Sequence, residues 1–217
     1  FSGLSTSLDG FAPKVETTAF GSALTVAFTS GVSDAGTTTL TAYKAETNSV
    51  DVTDGTITSA FDASHDLDLT INAAAADHLK VTGAAATMTA GTTNEMTITA
   101  HDAFGNTAIT YTGNKSLTFS GLGTSADNFV PKVEATNFGT ATTMTFTAGV
   151  SNANAATLIA YKTETASVDV TDGTISSAFD AAHDLDLTVN SANLDHFTWG
   201  PLGTQTAGVP FTGTITA

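Results

Sequence analysis

Cysteine and arginine are both absent from this 217-residue chain, tryptophan occurs once and proline four times. No apolar run approaches the ~20 residues that a membrane-spanning helix needs. Each absence removes a class of function. Without cysteine there is no disulfide, no thiolate metal site and no thiol nucleophile, so packing and hydrogen bonds must hold the fold. Six lysines face 21 carboxylates, for a formal charge of -15. A basic stripe able to displace counterions from nucleic acid is thereby excluded, as is attraction to an anionic membrane. No basic-then-apolar start marks a signal peptide, so any targeting or anchoring segment is expected outside this stretch, and no direct membrane insertion is expected within it.

What is abundant is threonine, with alanine, glycine and asparagine. That composition is shared with microbial exoproteins, and an extracellular or cell-surface location is the expectation. The apolar fraction of 41% suffices to bury a core in one large or two small domains.

Self-comparison decides the organisation, because a constant period is the signature of a repeated structural unit. Phe11-Ala-Pro-Lys-Val-Glu16 returns as Phe129-Val-Pro-Lys-Val-Glu134, an offset of 118 residues. Val50-Asp-Val-Thr-Asp-Gly-Thr-Ile57 returns unchanged at Val168 to Ile175, and His65-Asp-Leu-Asp-Leu-Thr70 at His183 to Thr188. Asp77-His78 keeps the offset at Asp195-His196, whereas Thr89-Ala-Gly91 returns at Thr206-Ala-Gly208, one residue short. A period this long exceeds the roughly 20–50 residues of solenoid repeats, so each copy is expected to be a domain with its own core. The small-residue stretches Asn72-Ala-Ala-Ala-Ala76 and Asn190-Ser-Ala-Asn193 place the boundaries. Residues 1–74 then end one copy, 75–192 form a whole one and 193–217 open a third.

Within a copy the apolar residues alternate, which predicts strands with one buried face. Met96, Ile98 and Ala100 alternate with Thr97, Thr99 and His101, and Met144, Phe146 and Ala148 with threonines. Leu185, Leu187 and Val189 do the same against Asp184, Asp186 and Thr188. Helical periodicity is missing. Ala103-Phe-Gly-Asn106, Thr112-Gly-Asn114, Asn137-Phe-Gly139 and Asp172-Gly173 supply turn residues that tolerate positive φ. The pattern predicts an all-β fold of about seven antiparallel strands per copy, with a two-layer sandwich favoured over a barrel.

The ordered motifs Asp77-His-Leu-Lys-Val81, Thr89-Ala-Gly91, Thr97-Ile-Thr-Ala-His-Asp-Ala-Phe-Gly-Asn106 and Tyr111-Thr-Gly113 resemble bacterial immunoglobulin-like repeats of the invasin and intimin style. Tyr161-Lys-Thr-Glu-Thr165 and Thr171-Asp-Gly-Thr-Ile175 extend the resemblance over the whole chain. It implies tandem immunoglobulin-like β-sandwich domains that build the stalks of adhesins and other long surface proteins. It brings no catalytic residues with it.

Candidate chemistry is sparse. Asp62, Asp66 and Asp68 beside His65, repeated as Asp180, Asp184 and Asp186 beside His183, raise calcium as a cofactor at the junction, with Asp77 or Asp195 completing the shell. The same carboxylates read equally as outward residues of a strand whose inward residues are Leu67 and Leu69, solvated and guarding an edge against aggregation. The spacing lacks the regular loop of dedicated calcium sites, which favours the solvated reading. The five histidines fall singly in the sequence and predict no zinc site. Asp169 and Asp172 flank a glycine turn with no sign of a pocket, so they are not expected to act as a catalytic pair, and no enzyme activity is expected.

Lys44 and Lys162 in Tyr-Lys-x-Glu, and Lys14 and Lys132 in Pro-Lys-Val-Glu, raise Lys-to-Asn isopeptide crosslinks against ordinary Lys–Glu surface pairs; the surface pairs are preferred. Asn114-Lys-Ser116 fits a glycosylation sequon. Phe197, Trp199 and Phe211 could form a sugar-stacking platform. Leu79 and Val81 occupy the matching positions of the whole copy, which makes core the expectation for Phe197 and Trp199.

Together these features predict a structural segment of an extracellular fibre, filament or surface array. It would act by head-to-tail assembly or as a long stalk, associating with identical or neighbouring repeats. The alternative is an adhesin or glycan-binding module of a surface protein or secreted enzyme, facing a host or environmental glycan or protein surface.

Overall fold

Each stretch of alternating Thr and aliphatic residues becomes a strand in the computed structural model, which describes residues 1–216 and contains no helix among them. Thr93–His101 is the longest strand. Its Asn94, Met96, Ile98 and Ala100 are buried while the intervening residues are not, as a pleat with one covered face requires. Leu185–Asn190 and Thr142–Thr147 alternate in the same way, burying Leu185, Leu187 and Val189, and Met144 and Phe146. Ala148 leaves the inward row. It sits at φ 48° in the Ala148-Gly149 turn, where the chain reverses before Val150–Ser151.

Eleven strands between residues 78 and 190 join into one sheet, several of them only two residues long. Thr93–His101 pairs along one edge with His78–Gly83, and along the other with Thr157–Ile159 and Val150–Ser151. Gly113–Ser120 divides its length between Thr142–Thr147 and Glu164–Thr171, and Glu164–Thr171 continues to Leu185–Asn190. The expectation of antiparallel pairing meets one exception, since Thr87–Thr89 lies parallel to Leu185–Asn190 at the sheet edge. The sheet curls around one apolar interior. Leu79, Val81, Ile98, Leu117, Phe119, Phe146, Leu158, Val168 and Leu187 share a single buried cluster although their strands lie far apart in the pairing order. At roughly 1.5–3 kcal/mol per fully buried large apolar side chain, this cluster is the main source of stability.

The first 74 residues form smaller sheets. Lys14–Val15 sits between Thr18–Ala19 and Leu40–Thr41, Phe28–Thr29 pairs with Val32–Ser33, and Glu46–Val50 pairs with Leu67–Ile71. Their local geometry matches that of residues 118 positions later. Glu46 pairs with Ile71 as Glu164 does with Val189. Ser49 Oγ donates to Asp68 at 2.6 Å, and Ser167 Oγ donates to Asp186 at 2.7 Å. Gly3 and Gly121 both have φ near 105° (106° and 104°), and a Cβ on either would overlap the carbonyl oxygen of Ser49 or Ser167. Only glycine fits there.

Burial differs where geometry does not. Phe146 is 2% exposed and Phe28, 118 positions earlier, is 66% exposed. Near the other end, Thr198–Trp199 pairs with Ile215–Thr216, and Phe197 and Trp199 are both exposed. The expectation of core positions there is not met. Leu79 and Val81, by contrast, lie in the buried cluster with Val168, Val170, Leu187 and Val189.

Candidate functional site

The loop Asp102–Asn106 leaves the end of the longest strand and presses against the first 74 residues. Its shape comes from its own polar groups. The buried Asp102 carboxylate accepts from the Phe104 amide at 2.9 Å, the Asn106 amide at 3.0 Å and Asn106 Nδ2 at 2.9 Å. Burial opposes ionisation of Asp102, but the hydrogen bonds from Asn106, Ala74 and Phe104 outweigh it and hold the carboxyl below the ordinary range.

Three hydrogen bonds then cross to the earlier segment. The Ala74 amide donates to Asp102 Oδ2 at 2.8 Å, Asn106 Nδ2 donates to the Tyr43 carbonyl at 2.7 Å, and the Ala45 amide donates to Asn106 Oδ1 at 2.8 Å. The Asn106 amide thus serves the 43–45 backbone as a neighbouring strand would. Phe104 packs edge-on against two rings that also touch each other, 5.3 Å from Phe11 and 5.1 Å from Tyr43 between centroids. Gly105, at φ 81°, lies against the Asp9 side chain, which an added Cβ would meet at 2.8 Å. The sequence identified Ala103-Phe-Gly-Asn106 only as a turn. A large aromatic at a turn tip, which a solvent-facing turn does not need, was the available signal.

Beside this joint lies a cleft of about 380 Å³ lined by Asp9, Phe11, His78, Ala103, Phe179, Asp180 and His183. Histidines that are scattered in sequence meet here. The His78 ring stacks on Phe179 at 4.8 Å and lies edge-on to His183 at 4.3 Å, with His101 at 5.6 Å. Asp180 accepts from His183 Nδ1 at 2.7 Å. His78 is almost wholly buried, and its Nε2 has no hydrogen-bond partner among the described residues. Among those residues no group of three or more His, Asp or Glu side chains is arranged to hold a metal ion.

Burial disfavours the charged form of His101, as do the neighbouring His78, Lys80 and His183, with Asp9 opposing them, so its pKa lies below the usual 6.5. An unfolded chain therefore takes up this proton at higher pH than the folded one. Stability from this group is complete above pH 6.5 and is lost as pH falls from there toward the depressed folded value. The midpoint of thermal unfolding, followed by circular dichroism between pH 7.5 and 5, is expected to drop, and His101→Gln to flatten that part of the profile.

Among the carboxylates raised for calcium, Asp62 accepts from the Ser64 amide and His65, Asp68 from Ser49, and Asp186 from Ser167. One oxygen of Asp66 and one of Asp184 are buried without a protein partner. Asp169 and Asp172 have different partners: Asp172 accepts from the Tyr111 hydroxyl at 2.8 Å and from the amides of Thr174 and Ile175, whereas Asp169 pairs with Ser177. Burial raises Asp169, and Tyr111 is raised by burial and by Asp172.

Lys44 and Lys162 sit 3.3 Å and 2.8 Å from Glu46 and Glu164 as partly exposed ion pairs. Intact mass spectrometry is expected to return the full calculated mass; a deficit of one ammonia per copy would instead indicate the isopeptide bond.

These features define an all-β protein whose most elaborated contact is a joint between strand-built segments. No protein-family model matches the chain, and no curated protein matches it.

Proposed function

We propose that this chain is a structural segment of an extracellular fibre, filament or surface array. In this reading it consists of immunoglobulin-like β-sandwich repeats with a period of about 118 residues: the end of one at 1–74, a whole one at 75–192 and the start of a third at 193–217. It works by head-to-tail assembly or as a long stalk, and not by catalysis. The observation that carries the reading is the joint. The chain devotes a buried carboxylate, a buried amide and a three-ring aromatic contact to holding one segment against the next. Such an investment in relative orientation suits a load-bearing or length-setting element better than a flexible tether.

Electron microscopy of the product of the parent gene tests this. Beaded rods or fibres, with bead spacing set by one repeat, are the expected result. Compact particles only, with no neighbouring copy in the parent reading frame, would overturn it. The exposed Phe197, Trp199 and Phe211 favour a second reading as a glycan-binding module. Glycan-array binding by this chain that disappears on Trp199→Ala would support it.

A further inference from the structure

The face that receives Phe104 recurs 118 residues later. Phe129 and Tyr161 lie 5.4 Å apart at 34°, and Phe11 and Tyr43 lie 5.5 Å apart at 38°. The turn ahead of each phenylalanine is built identically: the Phe11 amide donates to Ser7 Oγ at 3.1 Å, and the Phe129 amide donates to Ser125 Oγ at 3.1 Å. Every other group the loop touches has a counterpart by sequence position. Asp127 stands for Asp9, Ala192 for Ala74 and Thr163 for Ala45, where only the backbone amide is used. The second face is somewhat the more open: Phe11 is 43% and Phe129 57% exposed, and Ser7 is buried whereas its counterpart Ser125 is only half-buried.

We propose that the Phe129–Tyr161 face is the seat for a second loop of the Asp102–Asn106 kind, presented by another copy of the repeat. The inference rests on the tandem-repeat reading above and adds the interface that makes the array regular. The arriving phenylalanine packs edge-on against the Phe129–Tyr161 pair. Its asparagine bridges the Tyr161 carbonyl and the Thr163 amide, its aspartate accepts from the Ala192 amide, and its glycine rests on Asp127. The occupant is identified by the first face, where this loop already satisfies the same two rings, one carbonyl and two amides. A joint with three hydrogen bonds and a packed aromatic ring restrains both bend and twist. Successive copies then repeat one orientation, and the array becomes a stiff rod of set pitch.

The test extends the full chain by a further copy of residues 101–192 and maps side-chain accessibility by hydroxyl-radical labelling. Labelling of Phe129 and Tyr161 is expected to fall to the level of Phe11 and Tyr43, whose face already carries the loop. Alanine at the appended counterpart of Phe104 is expected to restore it, with amide NMR dispersion reporting that the added segment remains folded. A folded extension that leaves Phe129 and Tyr161 labelled as before overturns the joint while leaving the tandem reading intact. An extension that does not fold overturns the tandem reading, and the joint with it.

Discussion

Phe146→Ala is expected to lower the unfolding free energy by about 3–5 kcal/mol, whereas Phe28→Ala, the same change 118 residues earlier, costs less than about 1 kcal/mol. Phe146 packs edge-on against Tyr111 at 4.9 Å and belongs to the buried cluster with Met144 and Leu117. Its removal takes away the transfer energy of a large ring and leaves a cavity that a curled sheet, anchored by backbone pairing, closes only in part. Phe28 is 66% exposed on a two-residue strand and has little to lose. Urea denaturation of both variants, followed by far-ultraviolet circular dichroism, measures the difference. Equal losses would mean that something covers Phe28 in solution, as pairing of that segment with another chain would do.

Asp102→Ala is expected to cost about 3 kcal/mol and to free the first segment from the second. The substitution strands four donors at once: the amides of Ala74, Phe104 and Asn106, and the Asn106 side chain that must be oriented to reach Tyr43 and Ala45. Hydrogen bonds to a charged acceptor contribute about 1.5–3 kcal/mol each, with part of the loss recovered by water entering the opened joint. Hydrogen exchange should show Ala74 and Ala45 losing protection while strand amides such as those of Ile98 and Leu187 keep theirs. Retained protection at Ala45 would show that the packing of Phe104 alone holds the joint. Because the folded pKa of Asp102 is depressed, its contribution is complete above the unfolded value near 3.8 and is lost as pH falls through the folded one. Acid well below pH 3.8, rather than mild acid, should therefore mimic the substitution.

Much of the local structure is legible in the residues. Alternation placed Met96, Ile98, Met144, Phe146, Leu185, Leu187 and Val189 inward, and each is buried. Ala148 departs from its row because the reversal at Ala148-Gly149 needs positive φ, a backbone demand that side-chain periodicity does not register. The parallel pairing of Thr87–Thr89 with Thr188–Asn190 was equally invisible, since an edge strand of three residues carries too little pattern to state its partner. The candidate site was the least legible. Asn106 read as a turn residue and His78, His101 and His183 as isolated ones, because the signal in each case is a contact with residues tens of positions away.

The sequence by itself determined which residues form strands, where the chain turns, and which carboxylates and hydroxyls pair locally, because these depend on neighbours a few positions apart and on pleat geometry. Only the tertiary structure decided which copies of those local features are covered. Phe28 and Phe146, or Leu67 and Leu185, share type and local pairing and differ in burial, and Trp199 is exposed where its counterpart Val81 is buried. The physical reason is that backbone pairing and turn preference are satisfied within a segment, whereas hydrophobic burial and the filling of a joint require a second surface. What covers each face is a property of the assembled chain.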